Sequence, residues 1–276
     1  TVKSSVHHNP CYKINFDNSE SIVADMDHRW LISFKLAKPT KKNPTGFKNV
    51  IMTTIELKTY LDSLEKRNSY NIPKILNAKP LNIEEKKLLI DPYVLGVWLG
   101  DGSKSCGVIT QAKDSPVWFE LESRGYKLGP NLNHNSDRKN VEMRTVYGLI
   151  SQLKYLNLID NKHIPEEYML SSYNQRLDLL RGLMDTDGSF NKIRHRYIMN
   201  TSQKWQVEDL NKLLSTLGVK STIFDVINTC EGKKFPGWNL CFTTDEFNPF
   251  LTRNQEITNI VKKDNSFRNI TSVESV

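Results

Sequence analysis

No apolar run in the 276-residue chain approaches the roughly 18 residues of a membrane span, and the polar stretch Thr1–Pro10 lacks a signal-peptide core. These absences predict a soluble, intracellular protein with no membrane partner. The four cysteines, Cys11, Cys106, Cys230 and Cys241, show neither Cys-x-x-Cys pairing nor finger-type spacing with histidine. That argues against a zinc site and leaves a disulfide framework unsupported. Acidic residues are the minority charge, 31 against 38 Lys and Arg, for a formal net charge of +7. A surplus of that size is compatible with nucleic acid without requiring it. What is present, 38% hydrophobic and 25% charged residues, excludes a disordered tail or a collagen-like chain. A packed core is expected, in one large domain or two smaller ones of roughly 100–200 residues.

The scarcity of acid is local. From His28 to Ile55 there is none, while Arg29, Lys35, Lys38, Lys41, Lys42 and Lys48 follow one another between Pro39, Pro44 and Gly46. The stretch is either a solvated basic loop or an arm laid along phosphates, where each neutralised phosphate adds affinity through counterion release; Lys41 and Lys42 are its DNA-contacting candidates. Lys192, Arg194 and Arg196 alternate through Asn191–Asn200, and a period of 2 would place all three on one face of a strand. Such a face suits a DNA groove, or is an exposed strand protected by edge charges.

Short β-type runs separated by Asn, Asp, Ser, Pro and Gly fill residues 11–60, and the Pro- and Lys-containing stretch 66–89 reads as a linker. Beyond it lies an internal repeat. The first copy opens on Asp91-Pro92, a carboxylate cap before a proline, and runs through Gly96 to Gly100-Asp101-Gly102-Ser103. The second runs from Gln175 through Gly182 to Thr186-Asp187-Gly188-Ser189. After each come a strand, a capped helix, further strands (Val141–Arg144; Trp238–Thr243) and a last helix (Val146–Leu156; about Glu246–Leu251).

Gly96 and Gly182 stand inside the helices, where glycine costs roughly 1 kcal/mol relative to alanine. If the two helices cross there, their backbones can approach closely, and each delivers its terminal carboxylate to one place. Asp101 and Asp187, like charges at the negative ends of two helix dipoles, are then unfavourable unless a cation lies between them. Oxygen ligands without a His/Cys cluster favour Mg²⁺. Paired carboxylates holding divalent ions beside basic strands fit phosphodiester hydrolysis.

The segments Val94–Gly102 and Leu180–Gly188 resemble the two signatures of the LAGLIDADG homing endonucleases, particularly those embedded in inteins. The resemblance implies a monomeric α+β fold of pseudo-two-fold symmetry, built from two helix-strand-strand-helix-strand-strand-helix repeats (90–170 and 171–265). It implies metal binding at Asp101 and Asp187 with the adjoining Gly100 and Thr186, two or more Mg²⁺ ions, and a double-strand break in a long specific DNA site. Asn161-Lys162-His163-Ile164-Pro165 resembles the Lys-x-Ile-Pro block of intein endonucleases, which makes Lys162 a catalytic candidate. The family's water-positioning strand residue falls on Gln111 in the first repeat and Ser202 in the second. Its basic residue near the scissile phosphate falls on Arg144, with no counterpart in Thr243-Thr244-Asp245.

The flanks are similar to an incomplete intein splicing domain, with a β-rich Hint-like region at 1–65 and a returning strand at 266–276. Val23–Trp30 resembles the block whose histidine, here His28, activates the N-terminal scissile peptide, and His28 is otherwise an ordinary structural histidine. Thr1 stands where a Cys or Ser nucleophile is usual, and no C-terminal His-Asn pair is present, so the expectation is the middle of an intein or one part of a split one. Alternatives to the nuclease are a cleavage-inactive DNA-binding module, or a splicing fragment that needs complementary intein pieces.

Overall fold

The computed structural model describes residues 9–132, 140–230, 232–253 and 266–276. In chain order the first elements are β1 (Cys11–Phe16), β2 (Ser21–Asp25), β3 (Arg29–Lys35), β4 (Phe47–Thr53), α1 (Thr54–Asp62) and β5 (Lys74–Leu76). There follow α2 (Pro92–Asp101), β6 (Val108–Ala112), α3 (Pro116–Ser123), β7 (Leu128–Asn131), β8 (Val141–Val146), α4 (Leu149–Tyr155) and α5 (Glu166–Met169). The remainder is α6 (Tyr173–Asp187), β9 (Gly188–Asn191), β10 (Arg196–Thr201), α7 (Lys204–Thr216), β11 (Ser221–Cys230), β12 (Lys233–Phe242) and β13 (Phe267–Ser275). No described helix is long and apolar enough to cross a membrane.

The chain divides into two compact units, one of residues 1–78 with 263–276 and one of residues 79–262. The second unit thus interrupts the first in sequence. In the first, strands lie in the order β2-β1-β13-β5-β3-β4, and β13 pairs antiparallel with both β1 and β5. Trp30, Ile32, Leu57, Leu61, Ile14 and Ile270 form its core. Two expectations change here. The supposed linker contributes β5 to this sheet, because Lys74–Leu76 finds a ready edge on β13. The β-type character expected up to residue 60 ends at Thr53, whose side chain closes a capping box with Glu56 and starts α1.

The second unit is built on α2 and α6. Asp91 accepts from the N–H groups of Tyr93 and Val94 and Pro92 takes the first turn, so α2 starts where the sequence caps it. Ser172 and Gln175 form a capping box on α6. Every residue from Pro92 to Leu99 is buried, the pattern of a helix packed on all sides. A Cβ on Gly96 would collide with the Leu179 carbonyl oxygen and stand 3.0 Å from Gly182 Cα. One on Gly182 would collide with the Tyr93 carbonyl oxygen and stand 2.8 Å from Val97 N. The glycines are therefore where the two backbones touch.

Sheets β6-β8-β7 and β11-β12-β10-β9 follow the two helices. The repeats are less alike than their sequences predict. Between α2 and α3 there is one strand, β6, and the expected second is reduced to an isolated Gly102–Ile109 bridge. Near Glu246–Leu251 the expected helix is instead a series of bends, in which Thr244 Oγ1 accepts from Glu246 N and Asn248 Oδ1 from Phe250 N. Those side chains compete with the helical hydrogen bonds. Residues 192–195 form a tight turn between β9 and β10, so Lys192 and Arg194 lie at a hairpin tip, and only Arg196 is on a strand. His195 turns the chain with φ 47° and Asn191 Oδ1 accepts from Arg194 N, which breaks the strand that alternation suggested.

Candidate active site

Both central helices end on an aspartate followed by glycine in extended conformation. Asp187 Oδ2 lies 3.2 Å from where a Cβ on Gly100 would stand, so the two helix ends bring Asp101 and Asp187 together. Burial, and next the charge of Asp187, push the Asp101 carboxyl up to about 6; burial raises Asp187 as well. Lys162 and Arg253 act against both shifts. Burial pushes the Lys162 ammonium down to about 8 despite the two aspartates.

Each carboxylate is held by a glutamine. Gln111 on β6 donates to Asp101 Oδ2, and its own amide oxygen accepts from Ser115 Oγ at 3.0 Å. In the second repeat the donor to Asp187 Oδ2 is Gln206 at 2.6 Å, its amide oxygen accepting from Thr201 Oγ1 at 2.7 Å. The pair has exchanged places, with the glutamine on the strand and the hydroxyl at the helix start in one repeat, and the reverse in the other. The pinned amide oxygen leaves each NH₂ facing its carboxylate. Ser202, the expected water-positioning residue of the second repeat, is exposed and lines a groove with Asn200, Thr201, Asn228, Thr229 and Phe235.

Each helix end is also clamped by a cation. Lys162 Nζ donates to the carbonyls of Trp98, Leu99 and Gly102 at 2.9, 3.0 and 2.7 Å, with Gly100 at 3.4 Å. Arg253 donates to the carbonyls of Asp185, Thr186 and Gly188 at 2.6, 3.1 and 2.6 Å. In the two motifs Leu99, Gly100 and Gly102 correspond to Asp185, Thr186 and Gly188, so the cations meet equivalent carbonyls. Free carbonyls at a helix C-terminus carry partial negative charge, which a cation offsets. Arg253 went unread because it follows Thr243-Thr244-Asp245 by several residues; its similar offset from Asp187, compared with Lys162 from Asp101, was the available signal.

The other candidates have the following surroundings. Arg144 pairs with Glu142 at 2.6 Å and lies over the Trp118 ring. Lys41 and Lys42 are exposed in the β3–β4 connection, closed by reciprocal Thr40–Asn43 backbone bonds. His28 is exposed beside Trp30, with ring centroids 4.5 Å apart.

The donor set suits a hard cation. Among the described residues no group of three or more His, Cys, Asp or Glu forms a metal cluster. Two carboxylates, completed by water and by phosphate, match the way Mg²⁺ is usually held; the Gly100 and Thr186 carbonyls, expected as further ligands, accept instead from Lys162 and Arg253. This gives a pH prediction. A carboxyl at about 6 in the fold and about 3.9 unfolded keeps its proton in the native state between those values. Without metal, stability therefore falls as pH rises through that window, and the ionisation penalty is complete above it. Mg²⁺ should raise the melting temperature at pH 8 and no longer do so at pH 5; thermal denaturation with and without Mg²⁺ checks it.

Residues 174–264 match the family described as the LAGLIDADG-like domain. Over 192 residues, 65% of this chain, the protein is 32% identical to a replicative DNA helicase DnaB of Mycobacterium intracellulare, and the match spans 30% of that protein's length. Solved variants of the homing endonuclease I-DmoI are similar over 56% of this chain and 88% of theirs, at 19% identity and a TM-score of 0.38. The N-terminal LAGLIDADG domain of WhiA is similar over 69% of this chain and 85% of its own, at 13% identity and a TM-score of 0.35.

Proposed function

We propose that the protein is a site-specific DNA endonuclease that makes a double-strand break by divalent-cation-dependent phosphodiester hydrolysis, and that it is of the intein-embedded kind. The observation that carries the reading is the paired helix end, where two aspartates meet and each is held by a pinned glutamine and bracketed by a cationic clamp. Asp101 and Asp187 would hold Mg²⁺, which when bound supplies Lewis-acid stabilisation of charge building on the phosphate. Gln111 and Gln206 orient the carboxylates. Lys162 and Arg253 neutralise the helix ends and keep positive charge where a phosphate would approach.

Two facts support the embedded reading. The similarity covers a minor part of a much longer helicase, as an insertion within a host protein would. The second unit also interrupts the first, whose sheet is completed by β13 from the other side of the interruption. Lys41 and Lys42 at one hairpin, and Lys192, Arg194 and Arg196 at another, are proposed phosphate contacts for double-stranded DNA.

The test is a supercoiled plasmid carrying the helicase gene with the matched segment removed, incubated with the protein and Mg²⁺. A linear product cut at one site is expected. Binding without cleavage would favour the inactive DNA-binding module, and ligation on adding complementary intein fragments would favour the splicing reading. On the same DNA, Lys41→Ala with Lys42→Ala should weaken binding and reduce the slope of log K against log salt by about 2.

A further inference from the structure

The nuclease reading, on which this inference rests, leaves the buried carboxylate of Asp185 without a task. Asp185 is 2% exposed, two residues before the site aspartate. Its Oδ2 accepts from Tyr93 Oη at 2.9 Å and from Thr252 N at 3.0 Å, and its Oδ1 accepts from Leu251 N at 3.2 Å. Tyr93 belongs to α2, so the opposite helix holds the carboxylate in place. The two backbone groups it receives immediately precede Arg253, whose guanidinium then reaches the carbonyls of Asp185, Thr186 and Gly188. Phe250, 1% exposed, anchors the same segment and lies under that guanidinium.

The first repeat does this differently. The corresponding motif position is Leu99, buried and apolar. The segment bearing Lys162 is fastened instead by Asp209 of α7, whose Oδ2 accepts from Ile164 N at 2.9 Å. Each cation therefore has its own carboxylate fastener. One bonds the backbone just before its cation and the other just after.

We infer that Asp185, braced by Tyr93, is the positioning residue for Arg253, and that Asp209 is the positioning residue for Lys162, so that each governs cleavage of one DNA strand. Neither carboxylate touches the reacting groups; each acts by docking the segment that carries its cation. A buried carboxylate is an effective dock because charge-assisted bonds to backbone N–H groups are short and about twice as strong as neutral ones. In each repeat the loss of the dock releases one cation and leaves the other in place.

The experiment compares Asp185→Leu, which installs the first motif's own residue, Asp185→Asn, and Asp209→Ala. The substrate is the supercoiled helicase-gene plasmid described above, read for nicked and linear products, with primer extension to identify the strand cut. Asp185→Leu should slow one strand at least tenfold and accumulate nicked circles, Asp209→Ala should slow the opposite strand, and Asp185→Asn should fall between wild type and Asp185→Leu. Equal slowing of both strands, or the same strand slowed by both substitutions, would overturn the assignment. A second readout needs no DNA: hydrogen exchange at the Leu251 and Thr252 amides should accelerate at least tenfold in Asp185→Leu, with the Leu213 and Leu214 amides unchanged. Unaltered exchange there would overturn the docking itself. If wild type cut neither strand, the nuclease reading and the strand assignment would both fail, and exchange would still decide whether Asp185 docks the Arg253 segment.

Discussion

Asp101→Asn or Asp187→Asn is expected to abolish double-strand cleavage while making the metal-free protein more stable. The two effects have one cause. In the fold the carboxylates are half-buried beside each other, and Asp101 holds its proton up to about 6. At pH 7 its ionisation is thus carried at a cost of about 1–3 kcal/mol, which the neutral amide does not incur. The melting temperature should rise by a few degrees. The amide is a poor ligand for a hard cation, and the transition-state stabilisation lost with the ion is worth several kcal/mol, roughly 10³-fold in rate. DNA affinity should change much less, because neither aspartate is among the proposed phosphate contacts. A substitution that stabilises the fold and removes activity marks a group retained for chemistry; loss of both would make the aspartates structural.

Gly96→Ala and Gly182→Ala are expected to do the reverse and lower stability and cleavage together. In an isolated helix either change would gain up to about 1 kcal/mol. Here the added methyl meets backbone: the Leu179 carbonyl oxygen from Gly96, and the Tyr93 carbonyl oxygen and Val97 N from Gly182. A carbonyl held in a helix cannot swing aside as a side chain can, so the helices must separate. Overpacking of this kind costs typically 1–3 kcal/mol. The helices carry the aspartates at their ends, so separation also misplaces them, and a displacement of about 1 Å can cost on the order of 10²-fold in rate. Thermal melting and plasmid cleavage, measured on the same preparations, should fall in parallel for both variants. Wild-type melting in either would show that the helices do not touch at the glycines.

The helix pair was legible in the sequence because its signals are local: Asp91-Pro92 caps α2, and glycine recurs at the same place before each Asp-Gly. Lys162 was legible through its Lys-x-Ile-Pro setting. Gln206 was not, because a glutamine pinned by a hydroxyl can be assembled with either partner on either element, and the second repeat uses the arrangement opposite to the first. Alignment of the strands therefore pointed to Ser202, while the amide arrives from α7. The alternating Lys192, Arg194 and Arg196 misled for another reason, since a tight turn can carry the same alternation as a strand and the left-handed His195 has no strong signature. The bends at 243–253 replaced a helix because Thr244 and Asn248 bond their own neighbours, and Arg253 was missed with them.

The central claim is that two helix ends, joined at paired glycines, build one divalent-cation site from Asp101 and Asp187. Titration of the metal-free protein with Mn²⁺ at pH 8, followed by the loss of its free-ion electron paramagnetic resonance signal, tests this most directly. The account predicts saturable binding in wild type that either Asp101→Asn or Asp187→Asn alone eliminates, with Asp185→Asn retaining it. Mn²⁺ binding that persists unchanged in both site-aspartate variants would contradict it.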